Sequence, residues 1–146
     1  MFRKLEEKDR AVYLEMVDEF YHSDAVLAPV PRQYMEDTLA EILRSDCYLE
    51  CYVFEEAGEL CGYALLSKSF SPEAGGIVYW VEEIYIRQAH RGKGLGSAFF
   101  KFFTEAPPKG TKRIRLEVEP ENEGAMALYR RFRFEDLPYN QMVLDY

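Results

Sequence analysis

Three glycines at alternate positions, Gly92, Gly94 and Gly96, form the pattern that most directly indicates chemistry. They follow residues 79 to 86, which are rich in aromatic and β-branched side chains and therefore favour a strand. After Leu95, apolar residues recur at helical spacing. A strand, a glycine turn and a helix in succession leave unpaired amides at the helix start. Those amides and the helix dipole attract phosphate.

The glycine pattern differs from the two commonest phosphate-binding loops. A dinucleotide turn needs G-x-G-x-x-G, but Ser97 stands where the third glycine would be, and the P-loop sequence is absent. The stretch from Arg91 to Gly96, Arg-Gly-Lys-Gly-Leu-Gly, instead resembles the R-x-x-G-x-G/A pyrophosphate loop of the GNAT acyl-CoA N-acetyltransferases. The alternative is a tight strand-to-helix turn whose glycines serve packing alone.

This resemblance implies acetyl-CoA as co-substrate. Main-chain amides from Gly92 to Ser97 would bind the pyrophosphate, with Arg91 or Lys93 nearby. The main chain of residues 84 to 86 would pair with the pantetheine amides, as an added strand does. The cofactor-binding residues implied are Ile84, Tyr85, Ile86, Arg91, Gly92, Lys93, Gly94, Leu95, Gly96, Ser97 and Asn122.

Transfer of an acyl group to an amine needs an acid near the sulfur, because the thiolate leaving group must be protonated or stabilised. Tyr129 follows Asn122 by two helical turns, so both side chains can lie on one side of a helix. Their stretch resembles the N-x-x-A-x-x-x-Y helix of GNAT enzymes, which implies that Tyr129 is the catalytic acid near the CoA sulfur. A core or surface tyrosine is the alternative. Arg133 stands before Phe134 where the family often has glycine, which leaves the helix end open.

The reaction also needs a base near the acceptor, because a primary amine is protonated at pH 7. Its neutral form then lies about 4.6 kcal/mol above the protonated form in free energy. Glu82 and Glu83 are the candidates. Adjacent strand residues point to opposite faces, so only one faces the acceptor unless a bulge intervenes. Residues 79 to 96 are especially similar to diamine acetyltransferases, which implies that Glu82 binds the cationic amine or acts as base, with Glu83 second. For either residue alone, solvent or a salt bridge is the alternative.

The element pattern predicts a strand, two helices, three strands, a helix, a strand, a helix and two final strands within residues 134 to 145. The helix after the glycine turn bridges two strands that we expect to run parallel. The pattern agrees with the GNAT fold, an α+β domain in α/β/α layers over residues 1 to 146. Its mixed, mostly antiparallel sheet would have six to seven strands. By layout alone, the acceptor pocket would include Tyr21, His22 and Tyr34.

Composition limits the classes of partner. The 146-residue chain has a net charge of −8, carried by residues 1 to 86, whereas residues 87 to 146 are net basic. This division favours a cationic substrate and a phosphate-rich ligand, and it disfavours nucleic acid. An acidic surface that only maintains solubility is the alternative. The sequence shows neither a membrane-spanning run nor an apolar signal region, and the expected location is the cytoplasm.

The cysteines are expected to be free thiols. Their number is odd, at positions 47, 51 and 61, and buried strand positions are the expectation for them. Neither His22 nor His90 stands at a metal-ligand spacing from Cys47 or Cys51, so the sequence predicts no metal.

The sequence therefore predicts an acetyl-CoA-dependent N-acetyltransferase that acts by direct attack in a ternary complex. The expected acceptor is a small cationic amine, with a protein lysine or N-terminal amine as the alternative. A module that binds acyl-CoA without turnover is the alternative from a different class. Exposed strand edges near the C-terminus favour a homodimer.

Overall fold

The computed structural model describes residues 1 to 146 and forms a five-stranded sheet with helices on both faces. The strands are β1 (Phe2–Lys4), β2 (Leu49–Glu56), β3 (Glu59–Ser71), β4 (Gly76–Ile86) and β5 (Thr111–Leu116). The helices are α1 (Arg10–Tyr21), α2 (Arg32–Arg44), α3 (Leu95–Glu105) and α4 (Glu123–Arg131). Short 3-10 turns cover Glu7–Asp9 and Gln88–His90. None of the helices combines the length and apolar character needed to cross a membrane.

The strands lie in chain order, and only the last pair is parallel. Strands β1 to β4 pair antiparallel with their neighbours, as short connections allow. Strands β4 and β5 pair parallel, and α3 forms the crossover between them. This confirms the predicted parallel pair and the mixed, mostly antiparallel sheet.

Each face of the sheet has its own apolar core. Tyr13, Met16 and Phe20 of α1 are buried with side chains of α2 and of one face of β2 and β3. On the other face, Phe99 and Phe103 of α3 are fully or almost fully buried against the sheet. Because successive side chains of a strand point to opposite faces of the sheet, the same strands contribute residues to both cores. This is the predicted α/β/α arrangement.

The sheet has five strands and not the six to seven predicted. Residues 134 to 146 follow α4 without regular secondary structure, and five large hydrophobic side chains among them are more than 60% exposed: Tyr139, Met142, Val143, Leu144 and Tyr146. A strand needs a neighbouring edge to satisfy its backbone groups, and this segment pairs with none within the chain. Strand propensity alone therefore did not decide its structure.

One further sequence prediction is corrected. Cys51 and Cys61 are buried in strands as predicted, but Cys47 is exposed in the turn before β2. The polar turn between α2 and β2 keeps its thiol on the surface.

Candidate active site

The candidate site lies where β4 and β5 separate. Their parallel pairing runs from Ile77 with Thr111 to Val81 with Leu116 and then stops, while β4 continues to Ile86. Beyond Val81, β4 is paired only with β3. The opposite edge of its last residues is therefore free to bind an extended ligand through main-chain groups.

A β-bulge lies at the start of this free segment. Leu65 of β3 pairs with Glu83 and the next residue pairs with Val81, so Glu82 is the extra residue of β4. Before the bulge, Tyr79 and Val81 belong to the α3 core, and after it Ile84 belongs to the same core. The shift by one residue turns Glu83 toward the α1 face, so the bulge changes which side chains each face receives.

Glu83 is almost completely buried between two tyrosines. Tyr21 of α1 donates a hydrogen bond to its Oε1 at 2.6 Å, and Tyr63 of β3 donates one to its Oε2 at 2.7 Å. Burial raises the pKa of Glu83, while the two hydroxyl donors partly oppose that rise. Glu83 is thus a desolvated carboxyl group held in a fixed orientation.

Glu82 is exposed and lies beside this group. Its Oε1 accepts a hydrogen bond from Ser67 Oγ of β3. Its negative charge contributes to raising the pKa of Glu83, although burial is the larger cause. It also contributes to the raised pKa of Tyr21, after burial and the bond to Glu83. The two consecutive glutamates at the bulge therefore form one acidic region, in which Glu82 is solvated and Glu83 is buried.

The three residues expected in the acceptor pocket do not all meet the acidic pair. Tyr21 contacts Glu83 directly. His22 is exposed, and its Nδ1 lies 2.8 Å from the main-chain oxygen of Asp18 within the same chain segment. Tyr34 is 61% exposed, and no hydrogen bond joins its side chain to either glutamate.

The glycine loop has the backbone that its sequence predicts. Gly92 and Gly94 have φ angles of +73° and +80°, a region that side chains with Cβ atoms rarely adopt. Gly94 is the N-cap of α3, and the first backbone bond of the helix joins Ala98 N to the Gly94 carbonyl. The amides before Ala98 remain available to an anion.

The loop also fits the approach of a ligand. A Cβ added at Gly92 or Gly94 would meet no atom within 4 Å, so the space beside both residues is open. Lys93 lies between them and is exposed. Open space, free amides and a lysine together match what the pyrophosphate of acetyl-CoA requires.

Arg91 is bound to the end of β4. Its Nε donates to the Ile86 carbonyl at 2.7 Å, and its guanidinium lies 5.6 Å from the centre of the Tyr85 ring. The Tyr85 hydroxyl in turn donates to Glu19 of α1 at 2.8 Å. Arg91 therefore fixes the loop relative to the strand.

Helix α4 packs against the start of α3. A Cβ at Gly96 would lie 3.5 Å from Leu128 Cδ2, and Arg131 Nη2 donates to Ser97 Oγ at 3.3 Å. Asn122 caps α4 by accepting a bond from the Ala125 amide at 3.1 Å. The helix that holds Tyr129 is thus positioned by the same segment that forms the glycine loop.

Tyr129 is buried on α4, and its ring packs edge-on against Phe100 at 5.3 Å between centroids. Burial raises the pKa of its hydroxyl group. It lines a cavity of about 750 Å³ formed by β5, α4 and the C-terminal segment. That cavity includes neither Glu82 nor the glycine loop, so it covers the Tyr129 side of the site only.

The structure shows how α4 ends although an arginine, Arg133, stands where the family often has glycine. This residue has a φ of +65°, and the Phe134 amide bonds the Tyr129 carbonyl at 3.2 Å. An arginine therefore occupies the left-handed position that glycine usually takes after a helix. Helix α4 therefore ends at Arg131, a boundary that the sequence left open.

Sequence reasoning missed Tyr63 and Ser67, the two β3 residues that bind the glutamates. Their partners lie across a strand pair, so the register decides the contact. A signal was available in the alternation of β3, since Tyr63 and Leu65 share the α1 face with Glu83. The bulge that sets the register is not visible in β3 itself.

Comparison with known proteins assigns the family. The model of the Acetyltransferase (GNAT) family matches residues 11 to 134. The chain belongs to this family. Its membership confirms the resemblance to GNAT enzymes that the sequence indicated, and the α+β fold agrees with it.

Two relatives and one solved structure show the extent of the likeness. A bovine thialysine N-epsilon-acetyltransferase is 39% identical over 77 residues, 52% of this chain and 45% of that protein. A spermine/spermidine N(1)-acetyltransferase of Bacillus subtilis (strain 168) is 28% identical over 95 residues, 59% of this chain and 62% of that protein. The match therefore spans less than two thirds of either relative. A structure described as a possible acetyltransferase from Clostridium difficile 630 has a TM-score of 0.87 at 16% identity, covering 100% of this chain and 97% of its own.

Proposed function

We propose that this chain is an acetyl-CoA-dependent N-acetyltransferase whose acceptor is a primary amine on a small cationic molecule, such as a diamine or polyamine. The observation that carries this proposal is the position of Glu82 and Glu83. Both stand where β4 leaves β5, on the strand that leads into the glycine loop. Family membership supports the reaction class.

The loop from Gly92 to Ser97 would hold the pyrophosphate through its free amides, with the charge of Lys93 added. The free edge of residues 84 to 86 would bind the pantetheine arm as a strand binds its neighbour. Acetyl-CoA, when bound, supplies the activated acetyl thioester. The chain itself supplies position, charge and proton transfer.

On the acceptor side, Glu82 binds the ammonium group and takes its proton, directly or through water. Glu83 adds a second negative charge in a desolvated setting, where charge interactions are stronger than in water. Loss of that proton leaves a neutral amine, which forms a bond to the acetyl carbon. The nitrogen then loses a second proton to solvent, and this balances the proton that Tyr129 gives to sulfur and regains from solvent. Backbone N–H groups at the free edge of β4 polarise the thioester carbonyl.

On the leaving-group side, Tyr129 donates its hydroxyl proton to sulfur as the carbon–sulfur bond breaks. Burial raises the pKa of Tyr129, so the hydroxyl is protonated at neutral pH. The direct route needs no cysteine nucleophile.

The acceptor class rests on charge. Two carboxylates at the bulge favour a cation, and the net charge of −8 attracts one over a distance. The names of the bovine and Bacillus relatives describe acetylation of thialysine and of spermine or spermidine. This likeness supports a small amine as the acceptor.

The test measures thiol release from acetyl-CoA with diamines, polyamines, aminoglycosides, and peptides with a lysine or a free N-terminus. Wild type is compared with Glu82→Gln and with Glu105→Gln, a matched change at an exposed residue at the end of α3. We expect turnover with diamines or polyamines, and both a higher KM and a lower kcat in Glu82→Gln but not in Glu105→Gln. Turnover confined to peptides would overturn the acceptor assignment, and no turnover with any amine would overturn the enzyme assignment.

A further inference from the structure

Three potential metal ligands meet outside the proposed active site. Glu56 ends β2, Cys61 lies on β3, and His90 lies in the 3-10 turn after β4. The carboxylate oxygen, the sulfur and the imidazole nitrogen all lie within 4.8 Å of one another. His90 is far from the other two in sequence, so no ligand spacing along the chain reveals the cluster.

The cluster is held by contacts with the surrounding strands. His90 Nδ1 lies 2.7 Å from Glu56 Oε2, and the Cys61 thiol donates to the Phe54 carbonyl at 3.3 Å. The Cys61 carbonyl accepts a bond from the Arg87 amide at 2.9 Å, which joins β3 to the segment before His90. Cys61 is fully buried, whereas Glu56 and His90 are partly exposed, so an ion can enter from solvent.

The size of the cluster suits a zinc ion. Bonds to zinc are about 2.3 Å from sulfur and roughly 2.0 to 2.2 Å from nitrogen or oxygen. Tetrahedral angles then place the ligand atoms about 3.3 to 3.6 Å apart. The cluster reaches these separations when Glu56 and His90 move slightly apart and the sulfur moves inward.

We propose that Glu56, Cys61 and His90 form a zinc-binding site with a fourth position open to water. A thiolate and an imidazole favour zinc over magnesium or calcium, which prefer oxygen ligands. On binding, the Cys61 S–H bond breaks, its proton goes to solvent, and sulfur bonds to the metal. The bond to the Phe54 carbonyl is lost, and no atom changes oxidation state.

The position of the site gives it a structural consequence. His90 directly precedes Arg91, which is bound to the end of β4 and opens the glycine loop. A metal at this cluster ties the β2–β3 hairpin to the start of that loop. Zinc is therefore expected to raise the melting temperature of the chain.

The experiment titrates tag-free protein with Zn²⁺ against a chromophoric chelator and with Co²⁺ in an absorption spectrometer. We expect one ion per chain and a thiolate-to-cobalt charge-transfer band. Cys61→Ser and His90→Gln weaken Zn²⁺ binding by on the order of 10- to 100-fold and remove the band or alter it. Cys47→Ser and His22→Gln are the matched controls, since both residues are exposed and outside the cluster.

Because Cys61 is buried, circular dichroism checks that each variant folds, and Glu56→Gln provides a test at a partly exposed position. X-ray absorption on the wild-type zinc complex adds a measurement that needs no variant, with one sulfur expected in the coordination sphere. Binding weaker than about micromolar, a coordination sphere without sulfur, or loss of binding in the control variants instead would overturn the proposal.

Discussion

Tyr21 and Glu83 are 62 positions apart in the chain, yet the Tyr21 hydroxyl donates to Glu83 Oε1 at 2.6 Å. This bond joins the end of α1 to the bulged part of β4. It places a buried carboxyl group beside the exposed Glu82. The relationship links the N-terminal helices, whose sequence contains no motif, to the strand that contains one.

The buried state of Glu83 predicts a pH-dependent stability difference. The pKa of Glu83 in the folded chain is raised above its ordinary value of 4.5, mainly by burial. A raised acid pKa stabilises the fold below the unfolded pKa, and this contribution is lost as pH rises. Glu83→Gln cannot titrate, so its melting temperature should rise relative to wild type between pH 4.5 and neutrality.

Parallel thermal scans of both proteins across that pH range measure the difference. A change of ~1 kcal/mol corresponds to about 2 to 4 °C for a chain of this size. Glu105→Gln is the control, because Glu105 is exposed at the end of α3 and is not among the groups that shift the pKa of Glu83. A constant difference between Glu83→Gln and wild type at every pH would contradict the account.

Substitutions of Gly94 in the glycine loop and of Gly124 in α4 should have opposite effects on stability. Gly94 has a φ of +80°, so Gly94→Ala strains the turn by roughly 1 to 2 kcal/mol and displaces the free amides. Gly124 lies in α4 without a positive φ, and an added Cβ meets nothing within 4 Å. Gly124→Ala should therefore stabilise the chain by about 0.5 to 1 kcal/mol.

Calorimetric titration with CoA distinguishes the two variants. We expect Gly94→Ala to bind at least ~10-fold more weakly, which corresponds to about 1.4 kcal/mol. Gly124→Ala should bind as wild type does. Equal CoA affinity in all three proteins would show that the loop does not bind the pyrophosphate.

The ion pair between Arg3 and Asp9 predicts acid sensitivity. Asp9 is buried, accepts bonds from Arg3 Nη1 at 2.7 Å and Nη2 at 2.9 Å, and accepts one from the Glu6 amide. The Arg3 bonds are the largest cause that holds the pKa of Asp9 below its ordinary 3.8. A depressed acid pKa stabilises the fold above pH 3.8, and this contribution is lost as pH falls through the lower folded value.

Asp9→Asn should therefore lower the free energy of unfolding at pH 7 by about 1 to 3 kcal/mol. Urea denaturation at pH 7 and at acid pH measures the effect, with Asp24→Asn as an exposed control. The deficit of Asp9→Asn relative to wild type should shrink in acid. A deficit that is absent at pH 7, or that persists unchanged in acid, would argue against this assignment.

The local features around the glycine loop were predictable from sequence because they depend on nearby residues. A strand, Gly92, Gly94 and a helical pattern define the loop, and the helix that follows it connects two parallel strands. These features are present in the structure. The sequence left open whether a bulge separates the two adjacent glutamates, and the structure has one at Glu82.

Features that depend on distant partners were not predictable. Tyr63 meets Glu83 only because β3 and β4 adopt one register, and Cys61 meets His90 only in the folded chain. The C-terminal residues have strand-like composition, but propensity cannot supply the edge with which a strand must pair. Nor does the sequence place His22 or Tyr34, because their contacts depend on how the N-terminal helices pack.

The measurement that tests the central claim most directly is thiol release from acetyl-CoA by Tyr129→Phe, compared with Tyr48→Phe and wild type. Tyr48 is exposed in the turn between α2 and β2, so its variant controls for loss of a hydroxyl group as such. With Tyr129 as the acid, Tyr129→Phe should lower kcat by roughly 10²- to 10⁴-fold and leave CoA affinity unchanged. Tyr48→Phe should match wild type. Equal turnover in wild type and Tyr129→Phe would show that this hydroxyl does not protonate the sulfur.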